Sequence, residues 1–94
     1  MAIVDREVLM LSLRQAFGGT VAERRAVART AGDLADDGRV AEDLGVEVTP
    51  TVIVENLGDA PEGTPAERWN WWMGALEAAY GGYYEFRVTA WARD

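Results

Sequence analysis

Residues 46–55 read Val-Glu-Val-Thr-Pro-Thr-Val-Ile-Val-Glu, and the fold class turns on them. Valine and threonine dominate, and β-branched side chains suit a pleated, half-buried surface. Val46, Val48, Val52 and Val54 fall on one face at a period of two. The stretch is therefore expected to form a strand over 46–55. Pro50 has no N–H to give to a ladder, so the strand lies at an edge, or is bulged or broken there. A second alternating segment follows at 83–92, Tyr-Tyr-Glu-Phe-Arg-Val-Thr-Ala-Trp-Ala. As a strand it would turn Tyr84, Phe86, Val88, Ala90 and Ala92 one way, and Tyr83, Glu85, Arg87, Thr89 and Trp91 the other.

Helices surround these segments. Asp5 is a good N-cap and Gly18-Gly19 a strong stop, which predicts a helix over 5–17. Its apolar residues, Val8 through Leu11, Leu13, Ala16 and Phe17, run around most of the wheel, so it should be covered on more than one side, within the domain or against a partner. Thr20-x-x-Glu23 is a capping box opening a helix over 20–35, with Val21, Val27, Ala28, Ala31, Leu34 and Ala35 on one face. Arg24 and Arg25 come early and the aspartates late, against the helix dipole, so this helix should end near Gly32 and no later than Gly38. A short helix over 39–44 fits between Asp37 as cap and Gly45 as left-handed terminator. Residues 56–63 carry turn residues. Thr64, Pro65 and Glu67 then open a helix over 65–80, whose stripe is Trp69, Trp72, Met73, Leu76 and Tyr80. The order predicts an α+β fold in one domain over 1–94. Helices cover a small sheet of two or three strands, paired parallel through a right-handed crossover or antiparallel.

Composition narrows the chemistry. Sixteen acids oppose nine bases in 94 residues, for a net charge of −7. There is no Cys and no His, which removes disulfides, thiolate chemistry, imidazole metal ligands and the Ser-His-Asp triad. No apolar run approaches the ~20 residues of a membrane span, and no basic-then-apolar leader opens the chain. These features lead us to expect a cytoplasmic, non-membrane protein. An acidic chain also repels nucleic-acid phosphates, so nucleic acid is an unfavoured partner. The one basic cluster, Arg24, Arg25 and Arg29, precedes Asp33, Asp36 and Asp37 and reads as a solvated helix face. All nine bases are Arg, and Ala occurs 15 times. This composition resembles that of halophilic-archaeal cytoplasmic proteins; a GC-rich actinobacterial or phage source gives the same bias.

Two local resemblances concern residues 40–54. Leu44, Gly45, Val46, Thr49, Pro50, Thr51 and Val52 resemble the turn that leads into a core strand of the thioredoxin-like superfamily. That implies a degenerate thioredoxin-like fold without redox activity, since the CxxC pair is missing. VAEDLGV over 40–46 also resembles the first helix and turn of bacterial helix-turn-helix repressors. The implied recognition helix over 51–57 would be β-branched and carries no Arg or Lys, so it offers no phosphate contacts.

The aromatic residues of the last third carry the functional expectation. Trp69 and Trp72 fit the core stripe. Trp71 lies about 200° away on the wheel, beside Arg68, Gly74, Ala75 and Ala78. Trp91 falls on the polar side of its expected strand. Indole rings outside a core are enriched at interfaces. The favoured reading is a non-catalytic module that self-associates, as a homodimer, through Trp71, Ala75, Ala78 and Trp91. The alternative is a binding module for a small ligand or nucleic acid, stacking on Arg68, Tyr83, Arg87 and Trp91. No cofactor is called for. Glu55, Asp59 and Glu62 match no calcium-loop spacing.

Overall fold

A computed structural model describes residues 4–89. Five α-helices and one 3-10 turn make up its regular structure: α1 Arg6–Phe17, α2 Val21–Asp37, α3 Arg39–Leu44, α4 Pro50–Gly58, α5 Pro65–Tyr80 and the turn Tyr84–Phe86. No strand occurs among the described residues, so the fold is all-helical and not α+β. The expected sheet is absent from the described residues of both segments.

The expected strand at 46–55 is instead an irregular approach followed by α4. Thr49 is the N-cap, its hydroxyl accepting the Val52 N–H at 3.2 Å, and Pro50 takes the first helical position. Proline is favoured there because its missing N–H would have had no intrahelical partner. Ile53 and Leu57, four apart, are fully buried, and Val54 packs beside them. Burying two such side chains contributes about 1.5–3 kcal/mol each. The penalty for Thr51, Val52, Ile53 and Val54 in a helix is at most ~0.7 kcal/mol per residue. Tertiary burial therefore outweighs β-propensity.

The segment at 83–92 forms no strand within 83–89, and its last three residues lie outside the described range. A 3-10 turn changes its period from two to three. Tyr83, Phe86 and Val88 are buried and Tyr84 is exposed, where the alternation placed Tyr84 with Phe86 and opposite Tyr83. We call residues 81–89 the strap.

The helices follow the sequence more closely. Asp5 accepts the Glu7 and Val8 N–H groups at the start of α1, and Gly45 ends α3 in the left-handed region. Thr64 and Glu67 form the full capping box of α5. α2 continues past Gly32 to Asp37 because Leu34 and Ala35 are buried; that burial outweighs an unfavourable charge order. The N-cap of α3 is Gly38, while Asp37 ends α2. α1 is covered on one side only. Leu9 and Leu13 are buried, and Val8, Leu11 and Ala16 are exposed.

α1 packs on α2 and α4, and α5 packs on the same two helices. The four longer helices thus close a ring around Leu9, Leu13, Val27, Leu34, Ile53, Leu57, Trp69 and Met73. Two buried charged side chains tie its corners. Arg24, 8% exposed, donates to the Gly18 and Gly19 carbonyls at the end of α1, so it is no part of a solvated face. Glu23, 3% exposed, accepts the Ala66 N–H at 2.9 Å. In the expected capping box it would have bonded back to its own helix; instead it caps α5. Gly19 (φ +79°) fits this corner, since a Cβ there would lie 2.7 Å from the Glu23 carboxylate and 2.8 Å from Pro65.

Candidate functional site

The chemistry-bearing side chains gather on α5 and the strap that crosses it. Four consecutive residues, Trp69-Asn70-Trp71-Trp72, project at about 100° intervals and so meet four different surroundings. Trp69 is fully buried and donates its indole N–H to the Phe86 carbonyl at 2.8 Å. Trp72, also buried, meets it edge-on, with ring centroids 5.4 Å apart and planes at 86°. Asn70 exchanges two hydrogen bonds with the Val88 backbone. Its amide donates to the Val88 carbonyl and its oxygen accepts the Val88 N–H, both at 2.8 Å. Trp71 is 43% exposed. Its N–H has no acceptor and its ring no aromatic or cationic neighbour among the described residues. Ala75 and Ala78 are exposed beside it, with Gly74 half-buried.

The strap is held by side chains of the helical body at nearly every step. The Glu77 carboxylate accepts the Gly82 N–H at 2.9 Å and the Tyr83 and Tyr84 N–H groups at 3.2 Å. Arg39 donates to the Gly82 carbonyl, pairs with Asp37 at 2.7 Å and Glu85 at 3.0 Å, and lies over the Tyr83 and Phe86 rings. Tyr83 is 0% exposed and donates its hydroxyl to Asp43 at 2.8 Å. Burial, then the Asp43 bond, pushes the Tyr83 phenol well above its ordinary range. The Arg39 hydrogen bond holds the Asp37 carboxyl below its usual range, and the same bond raises the Arg39 guanidinium.

The residues read as a self-association surface divide in two. Trp71, Ala75 and Ala78 share one exposed face of α5, and Trp91 lies outside the described residues. The ligand-stacking set is dispersed among internal duties. Arg68 donates to the Leu57, Ala60 and Gly63 carbonyls and covers the Phe17 ring. Tyr83 has no exposed face. Arg87 lies over Tyr84 on the strap. Tyr80, expected in the stripe of α5, is exposed. The helix required over 51–57 by the helix-turn-helix resemblance does exist as α4; its one charged residue is Glu55. Among the described residues no three acids gather to hold a cation, and no helix is long and apolar enough to cross a membrane. An open groove of about 380 Å³ runs between α1 and α4, lined in part by Ser12, Gln15, Thr51 and Glu55.

Sequence reasoning missed Asn70, Glu77 and Arg39, and gave Glu23 a cap within its own helix instead of the Ala66 N–H. Two of them carried a signal. Asn is a weak helix former in the middle of a helix, and Glu in a last turn opposes the dipole. Each has a partner outside its helix that offsets the local cost.

No curated protein and no solved structure matches the chain. The model of the WNWW domain family matches residues 1–77, and its name, in one-letter code, spells the tetrapeptide at 69–72. With most of its length matched, the chain belongs to the WNWW domain family.

Proposed function

We propose that this chain is a non-catalytic cytoplasmic module that self-associates as a homodimer through the outer face of α5, with Trp71 as anchor and Ala75 and Ala78 as the floor that receives it. One observation carries the reading. Trp69, Asn70 and Trp72 are committed inside the fold, while Trp71 stands 43% exposed with its N–H unused. A large ring beside small residues is self-complementary across a two-fold axis, because each indole can lie on the partner's alanines. Tryptophan is enriched among the residues that dominate binding energy, typically at about 2 kcal/mol or more each.

Sedimentation equilibrium tests this reading. The chain should show a concentration-dependent mass approaching twice 10.3 kDa. Trp71→Ala should weaken association by roughly 30-fold, the equivalent of ~2 kcal/mol, with an unchanged far-ultraviolet circular dichroism spectrum. A chain that stays monomeric at millimolar concentration, or a variant that associates as well as the parent, defeats the proposal.

A further inference from the structure

The strap is bound to the helical body as a peptide is bound to a receptor. Seven main-chain groups between Gly82 and Val88 are satisfied by side chains of the body: three N–H groups by Glu77, the Gly82 carbonyl by Arg39, the Phe86 carbonyl by Trp69, and the Val88 N–H and carbonyl by Asn70. Within the strap itself, the backbone closes only the two bonds of the 3-10 turn. Tyr83, Phe86 and Val88 supply three buried side chains, and exposed Glu85 meets Arg39 at 3.0 Å. Main-chain bonds with side-chain pockets at intervals are the physics of peptide recognition. The tether has the form of a hinge, since Gly81 and Gly82 both hold positive φ, at +77° and +85°. The family match ends at residue 77, ahead of the strap.

We propose that the face formed by Arg39, Asp43, Trp69, Asn70 and Glu77 is a receptor for a short peptide of the pattern Tyr-x-Glu-Phe-x-Val, and that residues 82–88 are its ligand in cis. A two-glycine tether keeps that ligand at an effective concentration of about millimolar order. A competing peptide from another polypeptide therefore binds the free fraction only, and its apparent affinity falls in proportion. Weakening the cis contact should open the face. The face lies away from Trp71, so this inference is independent of dimerisation.

The test uses the full chain with Phe86→Ala and a fluorescein-labelled peptide of residues 81–89, Gly-Gly-Tyr-Tyr-Glu-Phe-Arg-Val-Thr, read by anisotropy. Phe86→Ala should bind the peptide saturably and at least tenfold more tightly than the parent chain. Adding Asn70→Ala should weaken that binding about tenfold, whereas adding Trp71→Ala should leave it unchanged. Absence of saturable binding to a Phe86→Ala chain that keeps its helical spectrum overturns the proposal, as does binding indifferent to Asn70→Ala. If Phe86→Ala loses its helices, amide exchange of the parent chain decides. The Tyr83, Tyr84 and Val88 amides should exchange at least tenfold faster than those of Leu13 and Val27. Exchange of all five in one global opening would make the strap an inseparable part of the core and end the idea.

Discussion

Replacing Glu23 by alanine removes the one acceptor that joins the start of α2 to the start of α5. Pro65 has no N–H and the Glu67 N–H goes to the Thr64 hydroxyl, so Ala66 holds the remaining orphan donor of that terminus. Ala66 is fully buried and its N–H meets the Glu23 carboxylate at 2.9 Å. A hydrogen bond to a charged group contributes about 1.5–3 kcal/mol, and a buried donor left without a partner costs about 1–3 kcal/mol. These describe one loss from two sides and do not add. The expectation for Glu23→Ala is therefore a loss of about 2–3 kcal/mol. Glu23→Gln keeps an oxygen acceptor and loses the charge facing the helix dipole, so about 1 kcal/mol is expected. Thr20→Ala, which removes only the local cap of α2, should also cost about 1 kcal/mol. Urea unfolding followed by circular dichroism measures all three. In a domain of this size 1 kcal/mol moves the melting temperature by roughly 4–8 °C, so Glu23→Ala should melt about 10–20 °C below the parent. If Glu23→Ala costs no more than Thr20→Ala, Glu23 acts only within its own helix and the interhelical cap is refuted.

Two further outcomes follow from charge. The phenol of Tyr83 is raised above its ordinary value of about 10. The folded state thus keeps its proton where the unfolded chain loses it. The stabilisation is complete below pH ~10 and is lost as pH rises from there toward the folded value. Urea unfolding at several pH values from 9 upward should show stability declining above about 10, and Tyr83→Phe should flatten the decline; equal slopes for both chains would remove Tyr83 as its source. The second outcome concerns salt. Asp33, Asp36, Glu42, Glu47, Glu55 and Glu62 are exposed, and net charge is −7. At 1 M salt the screening length shrinks to about 3 Å, so melting temperature should rise steeply between low and molar KCl if the acidic surface is an adaptation to salt; a flat or falling response would leave codon bias as the source of the composition.

Legibility in the sequence depended on whether a signal was local. The N-caps Asp5, Thr20 and Thr64, the full box at Thr64-x-x-Glu67, and the terminators Gly18 and Gly45 act within a few residues of themselves, and each element they bound was readable. Residues 46–55 were not. Thr49-Pro50 and Thr64-Pro65 are the same dipeptide in the same role, N-cap followed by first helical position. The second is followed by Glu67, which completes a box; the first is followed by Thr51-Val52-Ile53-Val54, which imitates a strand. Ile53 and Leu57 show the helical spacing, but only two buried residues establish it over nine positions, and a period of two fits the valines equally well. The arbiter was the space between α1 and α5, which a sequence does not display.

The strap was misread for a different reason. A segment whose backbone is satisfied by side chains has no need of a strand partner, so its own sequence carries no record of how its hydrogen bonds close. That record sits elsewhere, in Asn70 and Glu77, two residues that α5 would be more stable without if it stood alone. The side chains of α5 therefore form two layers with opposite visibility. The exposed layer, Trp71 with Ala75 and Ala78, can be read from the wheel because it is an exception to amphipathicity. The buried layer, Trp69, Asn70 and Glu77 against the strap, conforms to the core pattern or hides as a weak helix residue. The tetrapeptide at 69–72 belongs to both: two of its side chains bond the strap, one meets Trp69 edge-on, and one stands exposed. Substitutions in it should then fall into two groups, those that release the strap and those that leave the fold intact and, on the proposed dimer, alter only association.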